Sequence, residues 1–526
     1  MADWLKLAPE NDRALFIMAA AVHSAENPDK EVVDFSGREI VTALAEREVD
    51  RYQRMADGRK VKDQFALARL LAMATIADEL SIADIQKISQ SDLPAGFQPD
   101  ADIQGELMTA ALLIDGKVRA PKPDIVAAAF MVDVLGRRSE HTPEIVWAAL
   151  EGDIDAGLER IGRLCYDAEV VLGIQKPCLS DWLAEVVEGN VNRCSILDEY
   201  LWEADLPMGW LKTAIAVYST LLDQAEDDEE RARLLDNLSN HLGTTGDGVG
   251  ALTARQEAVT IRRRLAESNP VQFEPKLAMN LNNLSIDLSA TGDRPGALAA
   301  AQEAVKIHRR LAETDPAQFE PDLAMSLNSL SNSLSETGDR AGALAAIQEA
   351  VTIRRRLAET ETDPARFVYY LALSLNNLSN CLSDTGDAAG ALAAIQKTVE
   401  VYRLLAKANP ARFEPDLAVS LNNLSNRLSE TGNTTGALAA IQEAVEIDRR
   451  LAEANPARFE PDLAVNLRNM GLILLDMEKK SEAVDILKEA VALIRPYAKK
   501  WPGSRHEELL KNLEEYLKEA SNNLQS

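Results

Sequence analysis

Asparagine is the residue type whose spacing in this 526-residue chain could do chemistry. Asn237, Asn283, Asn377 and Asn423 each stand nine residues before a glycine, at Gly246, Gly292, Gly386 and Gly432. Ser329 holds the same place before Gly338, and Asn469 aligns with it in a last, degenerate copy. Three residues further on come Asn240, Ile286, Asn332, Asn380 and Asn426. Positions three apart share one face of a helix. A carboxamide offers both a donor and an acceptor, so a ladder of them can pair with the N–H and C=O of an extended peptide and read backbone rather than side chains. Repeat duplication without any ligand would leave the same pattern, with the amides bonded to neighbouring helices.

Other chemistry is weakly represented. No His or Cys recurs beside a partner at a spacing suited to general acid–base or nucleophilic catalysis. Cys165, Cys178, Cys194 and Cys381 form no CxxC pair, and His23, His141, His241, His308 and His506 are scattered, so neither a metal site nor a disulfide framework is expected. Ser285, Ser331, Ser379 and Ser425 recur, but at a small-residue position that suits core spacers better than nucleophiles. Arginines recur at Arg262 to Arg264, Arg309 to Arg310, Arg354 to Arg356 and Arg449 to Arg450. There they complement a helix dipole, with Glu267, Glu313 and Glu359 as the expected partners. The functional alternative is a basic edge for an acidic partner.

The elements that position the asparagines are repeats. A segment of the form LxNLSxxLSxTGDxxGALxAxQEAV returns with glycine spacings of 46, 46, 48 and 46, and a sixth copy runs from Ala464 to Ile494 with Glu478 in place of the glycine. Leu277, Leu281, Leu284 and Leu288 make one apolar stripe at helical spacing, which predicts a first helix. Gly292 predicts its left-handed end, and Asp293 the cap of a second helix carrying Ala297, Ala301, Ala304, Ile307 and Leu311 on one face. NPxxFEP segments such as Asn269 to Pro275 and Asn455 to Pro461 are expected to break the chain between units. Arg505 to Asn522 reads as a capping helix, and Met208 to Gln224 as the helix sealing the first unit.

This pattern resembles the tetratricopeptide repeat. Relative to Gly292 the large and small apolar positions of that family are matched by Leu284, Ser285, Leu288, Ala297 and Ala304, and the other units match in register. The 46-residue period exceeds the usual 34, and in length and in its LNNLS segment the array looks like kinesin light chain repeats. The resemblance covers Arg231 to Arg495. It implies a right-handed stack of helix pairs whose concave groove is lined by the face bearing Asn237, Asn283, Asn377, Asn423, Asn469, Asn240, Asn332, Asn380 and Asn426. In that family asparagine at the first of the two positions often holds peptide backbone.

Before the repeats the texture changes. Helices are expected at Asp12 to His23, Gly37 to Met55, Lys62 to Ala77, Ile82 to Ile88 and Pro123 to Leu135. Leu112 to Ile114 and Val118 to Ala120 flank Asp115-Gly116, a strong hairpin signal. Helices followed by a hairpin suggest a winged-helix unit across Val61 to Arg137. The segments LARLLAMATIADELSIADI, LPAGF and PKPDIVAAAFMVDVLG resemble the region after the ATPase core of bacterial STAND-type NTPases, over Trp4 to Gly136. No GxxxxGK[ST] motif accompanies them, since the only Gly-Lys pair, Gly116-Lys117, sits in the expected hairpin, and ATP hydrolysis is not expected.

Composition agrees with an all-helical chain: 46% hydrophobic residues but only 5% aromatics. A formal net charge of −28 repels phosphate backbones and anionic lipid, so neither nucleic acid nor membrane is an expected partner. The candidate recognition helix, Ser81 to Gln90, carries Asp84 and a single Lys87. No window approaches a membrane span and no signal peptide is visible, which predicts a cytoplasmic protein. The expected architecture is an all-α chain: an N-terminal helical segment (1–60), a winged-helix-like module with a small β-hairpin (61–137), a helical connector (138–207), a right-handed α-solenoid of about six helix pairs (208–500) and a capping helix (501–526). The expected function is non-catalytic binding of a protein or peptide ligand in the concave groove, with no cofactor and no metal. Met279, Met325, Leu373 and Val419 would add apolar selectivity there. The alternative is a split or degenerate STAND-type component that senses a ligand and regulates a separately encoded ATPase or effector.

Overall fold

The computed structural model describes residues 37–57, 66–77, 79–89, 113–114, 117–119, 124–136, 141–151, 154–165, 167–168, 179–201, 210–360, 364–454, 456–500 and 505–525. Its contacts divide the chain into two compact units, 1–254 and 255–526.

In the first unit the described helices are α1 (Gly37–Asp57), α2 (Ala66–Ala77), α3 (Ile82–Ser89), α4 (Asp124–Gly136), α5 (Thr142–Leu150), α6 (Ile154–Cys165), α7 (Leu179–Val187), α8 (Val191–Leu201), α9 (Leu211–Gln224) and α10 (Asp228–Thr245), with three short strands, β1 (Glu79–Ser81), β2 (Leu113–Ile114) and β3 (Lys117–Arg119). Four of the five helices expected from the sequence are present to within a few residues; the expected Asp12 to His23 helix lies outside the described residues, as do Lys62 to Phe65. The strands form an antiparallel sheet in the order β1-β3-β2, with Leu113 opposite Val118 and Ile114 opposite Lys117, the register that an Asp115-Gly116 two-residue turn demands. Helices α2 and α4 are apolar on nearly every side and form the centre, where Leu71, Ile76, Phe130 and Met131 are buried. Ser81 and Asp84 close a capping box at the start of α3: the Ser81 N–H and hydroxyl donate to Asp84 Oδ2 at 2.9 and 2.5 Å, and the Asp84 N–H donates back at 3.2 Å.

The repeats continue through α11 (Gly248–Ser268), α12 (Pro270–Ala290), α13 (Arg294–Thr314), α14 (Pro316–Glu336), α15 (Arg340–Thr360), α16 (Pro364–Asp384), α17 (Ala388–Ala408), α18 (Pro410–Glu430), α19 (Thr434–Ala454), α20 (Pro456–Asp476), α21 (Lys480–Lys500) and the terminal α22 (Arg505–Gln525). From α12 onward each helix packs on the next, as a solenoid of helix pairs requires. Two 21-residue helices, a three-residue connector and one capping residue account for the 46-residue period.

The connector is built as its residues dictate. Gly292 adopts φ 89° and the Asp293 N–H donates to the Leu288 carbonyl at 2.9 Å, a left-handed helix end open to a residue without a Cβ. Asp293 then caps α13, accepting from the Gly296 N–H at 3.0 Å. In the last copy Glu478 takes the same left-handed backbone at φ 59°, at a steric cost that glycine avoids.

The NPxxFEP segments break the chain only at their first residue, and in the last of them that residue, Asn455, lies outside the described residues. Asn269 alone is the junction: it caps α12, Pro270 is the first helical residue, and Pro275 lies inside the helix. Proline suits the first turn, where no N–H is needed. The carbonyl that Pro275 leaves without its helical donor belongs to Val271, which is 87% exposed, so water can take it. Among the described residues no helix is long and apolar enough to cross a membrane.

Candidate functional site

The first helices of the second unit, α12, α14, α16, α18 and α20, bring Asn283, Ser329, Asn377, Asn423 and Asn469 to equivalent positions, each at least half-buried. Three of these amides are already engaged. Asn377 Nδ2 donates to Asn328 Oδ1 at 3.2 Å, Asn423 Nδ2 to Asn376 Oδ1 at 2.9 Å, and Asn469 Nδ2 to Asn422 Oδ1 at 2.7 Å. The acceptor in each case is the asparagine one place earlier in the preceding repeat. The ladder is therefore a set of inter-repeat rungs, and what it can offer a ligand is the remaining N–H and the carbonyl of each outer amide. Asn469 Oδ1 accepts in addition from Arg468 at 3.1 Å.

One rung is missing. Ser329 is too short to reach back, and Asn282 Oδ1 is left buried without a partner among the described residues. Ser329→Asn should supply that donor and raise stability by about 1 kcal/mol, read as a higher urea midpoint at unchanged slope. An unchanged or lower midpoint would remove the rungs from the account of how the repeats hold together.

One turn further along, Asn332 and Asn380 are exposed and Asn426 is half-buried. On the same side stand Met279 and Val419, 45% and 52% exposed, with Met325 and Leu373 half-buried. The first helices thus carry a row of apolar side chains beside a row of amides with free hydrogen-bonding capacity. Asn237 and Asn240 belong to the first unit, on α10, half-buried and exposed respectively.

The recurring serines are core residues with a further duty. Ser239, Ser331 and Ser379 each donate to the carbonyl twelve residues on, at Ala251, Ala343 and Ala391, all at 2.8 Å, fastening the two helices of a repeat together. Ser285 bonds within its own helix to the Asn282 carbonyl at 2.7 Å.

A second recurrence escapes the sequence reading. Sixteen residues after each glycine stand Arg262, His308, Arg354, Tyr402 and Asp448, all buried, amid flanks that scarcely vary. They pack against the first helix of the next repeat. His308 Nδ1 and Ser326 Oγ are 2.8 Å apart, Arg354 Nη1 donates to Ser374 Oγ at 2.6 Å and to the Tyr370 carbonyl at 2.7 Å, and Asn466 Nδ2 donates to Asp448 Oδ2 at 2.6 Å. Burial shifts these groups toward their neutral forms: His308 down to about 4, Arg354 down to about 10 and Asp448 up to about 7. For Asp448 the Asn466 bond partly opposes burial, and the Asp462 charge reinforces it. The signal was present as a polar variable position inside an invariant apolar frame.

Among the described residues the ion pairs of the repeated arginines run to other helices rather than to Glu267, Glu313 and Glu359, although the Glu313 charge still acts on Arg309. Arg263–Glu303, Arg309–Glu349, Arg403–Glu443 and Arg449–Glu489 join successive second helices at 2.5, 2.7, 2.6 and 2.8 Å. A second row, Arg310–Glu274, Arg356–Glu320 and Arg450–Glu414, joins the two helices of one repeat.

Cys165, Cys194 and Cys381 are buried free thiols, while Cys178 lies outside the described residues. No group of His, Cys, Asp and Glu that could hold a metal occurs among the described residues.

Four stretches of the chain, residues 277–317, 323–363, 371–410 and 417–456, match the tetratricopeptide repeat family. No curated protein matches the chain in sequence. Among solved structures, BtubC (BKLC) from P. vanneervenii is 19% identical over 48% of this chain and 93% of its own, with a TM-score of 0.39. A Podosopora anserina protein of nearly identical TPR-like repeats is 16% identical over 44% of this chain and 100% of its own, at 0.33. A signal transduction ATPase with numerous domains and a tetratricopeptide repeat sensor, from Pyrococcus horikoshii, is 13% identical at 0.40; the match covers 86% of this chain and 59% of that protein.

Proposed function

We propose that this chain, whose second half is built of tetratricopeptide-type repeats, is a non-catalytic cytoplasmic adaptor that holds an extended protein segment along its first-helix face. The observation that carries the reading is the parallel arrangement of amides at Asn332 and Asn380, both exposed, and at half-buried Asn426, with apolar side chains at Met279, Met325, Leu373 and Val419. Amides at one repeat spacing can bond backbone N–H and C=O groups, while the apolar row takes side chains, which is the division of labour in recognition of an extended chain. Asn283, Asn377, Asn423 and Asn469 contribute the capacity left over from their rungs.

The test must spare those rungs, because removing them orphans Asn328, Asn376 and Asn422. A triple variant, Asn332→Ala with Asn380→Ala and Asn426→Ala, is expected to keep wild-type helicity and to lose about tenfold in retention of its partner from native lysate. A catch identical to that of the wild type would remove the groove from the function.

A second reading draws on the first unit. The sheet of β1, β2 and β3 beside α2, α3 and α4 supports reading a winged-helix module over 61–137, in a proposed order of N-terminal segment (1–60), module, connector (138–207), repeats (208–500) and C-terminal cap (501–526). That order supports a split or degenerate STAND-type component acting on a separate ATPase or effector. Its signature is a P-loop ATPase co-purifying with the full chain and unaffected by the triple variant. Asp84 is occupied in capping α3, leaving exposed Lys87 as the cation of that helix, a poor surface for nucleic acid.

A further inference from the structure

Near-identical repeats make a departure from the pattern legible, and both rows of ion pairs break at one repeat, α16 with α17. In four places an arginine of one second helix meets a glutamate of the next, forty residues on, at 2.5 to 2.8 Å. Between α15 and α17 the corresponding residues are Arg355 and Lys397. Two cations stand where every other described step has an ion pair. Arg355 is exposed and has no ion pair among the described residues, and Lys397 turns instead to Glu400 three residues along its own helix, at 2.9 Å, with both side chains 64% exposed. Such an exposed pair holds its lysine weakly.

The second row fails at the same repeat. Where Arg310, Arg356 and Arg450 meet Glu274, Glu320 and Glu414, this repeat has Leu404 and Val368. Leu404 is 72% exposed. Lys397 and Leu404 lie seven residues apart on α17, so they share a face, separated by about 10 Å along the helix axis. A chain of net charge −28 thus presents, at the step from α15 to α17, two cations at the positions that pair in the other steps, and a bare leucine one helix face along from the second.

We propose that Arg355, Lys397 and Leu404 form a docking surface for an acidic segment of a partner protein, separate from the first-helix face. The carboxylate of the segment takes the position that a glutamate occupies in the other steps, between the two cations, and an apolar side chain about 10 Å away, three residues on in an extended chain, covers Leu404. The charge pattern commits the occupant to an anion: a neutral or basic segment would leave two like charges facing each other.

The variants that test this restore the common pattern, so they should not unfold the protein. Lys397→Glu rebuilds the missing ion pair with Arg355, and Arg355→Glu rebuilds it with the signs exchanged. Leu404→Ser removes the apolar contact. The probe is an array of twelve-residue extended peptides in which net charge and the position of a single leucine vary, presented to the full chain. The wild type is expected to retain acidic peptides with leucine three residues from a carboxylate at least about tenfold over neutral and basic ones, and each variant to lose about tenfold with melting temperature unchanged or raised. Equal retention of acidic and basic peptides, or retention unchanged in Lys397→Glu, would overturn the proposal and leave the patch as drift among duplicated repeats. Self-association of the wild type abolished by Lys397→Glu would also overturn it, by making a second copy of this acidic chain the occupant.

Discussion

Asp448→Asn is expected to stabilise the second unit by about 4 kcal/mol at pH 8 and by less than about 1 kcal/mol at pH 4. The carboxyl is buried between α19 and α20 with Asn466 as its hydrogen-bond donor, and burial raises its pKa to about 7 from the ordinary 3.8. A raised carboxyl pKa means that the folded chain holds the proton more tightly than the unfolded one. Stability from this group is therefore complete below pH 4 and is lost as pH climbs from there through 7. The amide that replaces it keeps the shape, still accepts from Asn466 and never ionises, so the loss disappears. Urea unfolding of both proteins across pH 4 to 8 gives the answer. A constant offset between the two curves would show that the carboxyl titrates normally and that its site is wetter than the structure places it.

The mirror case is His308. Buried against Ser326 with its Nε2 unpartnered among the described residues, it has a pKa lowered to about 4 from 6.5 by burial. A depressed histidine contributes stability above pH 6.5 that is lost as pH falls through 4. His308→Leu fills a similar volume and cannot charge, so it should match the wild type to within about 1 kcal/mol at pH 8 and exceed it by about 3 kcal/mol at pH 4. Hydrogen exchange in α13 and α14 is a local readout, appropriate to a stack in which each repeat stabilises mainly its neighbours. Protection in those helices that is equal in the two proteins at pH 4 would sink the prediction. Together the two sites oppose each other between pH 4 and 7, so the pH dependence of their sum in the wild type is small and only the single variants expose it.

These buried polar groups also bear on how much was readable in advance. The leucine and alanine stripes, the Gly292 helix end and the Asp293 cap are local rules, each satisfied within a few residues of chain, and they reappear in the structure as expected. The NPxxFEP reading held at Asn269, where one helix ends and the next begins, but not through Pro275, because proline carries two opposite local meanings: at Pro270 it starts a helix, and at Pro275 it is tolerated since the carbonyl it frees faces water. The asparagine positions were legible as one helical face, but their engagement was not. Asn377 reaches Asn328 across a repeat boundary, 49 residues away, and nothing in the spacing says whether an amide points at a neighbour or at a ligand.

The arginines make the same point with charge. Their recurrence was visible, yet a lone helix offers Arg309 the nearby Glu313, whereas stacking brings Glu349 to 2.7 Å in bidentate geometry, and the better-aligned pair wins. Periodicity, capping chemistry and composition were enough to establish helix pairs, their number and their order, because those depend on interactions within a turn or two of backbone. Which polar groups spend their hydrogen bonds on the next repeat, which are left exposed, and where two cations meet without a glutamate depend on residues some forty apart in sequence; only the packing of one helix pair on the next sets those distances.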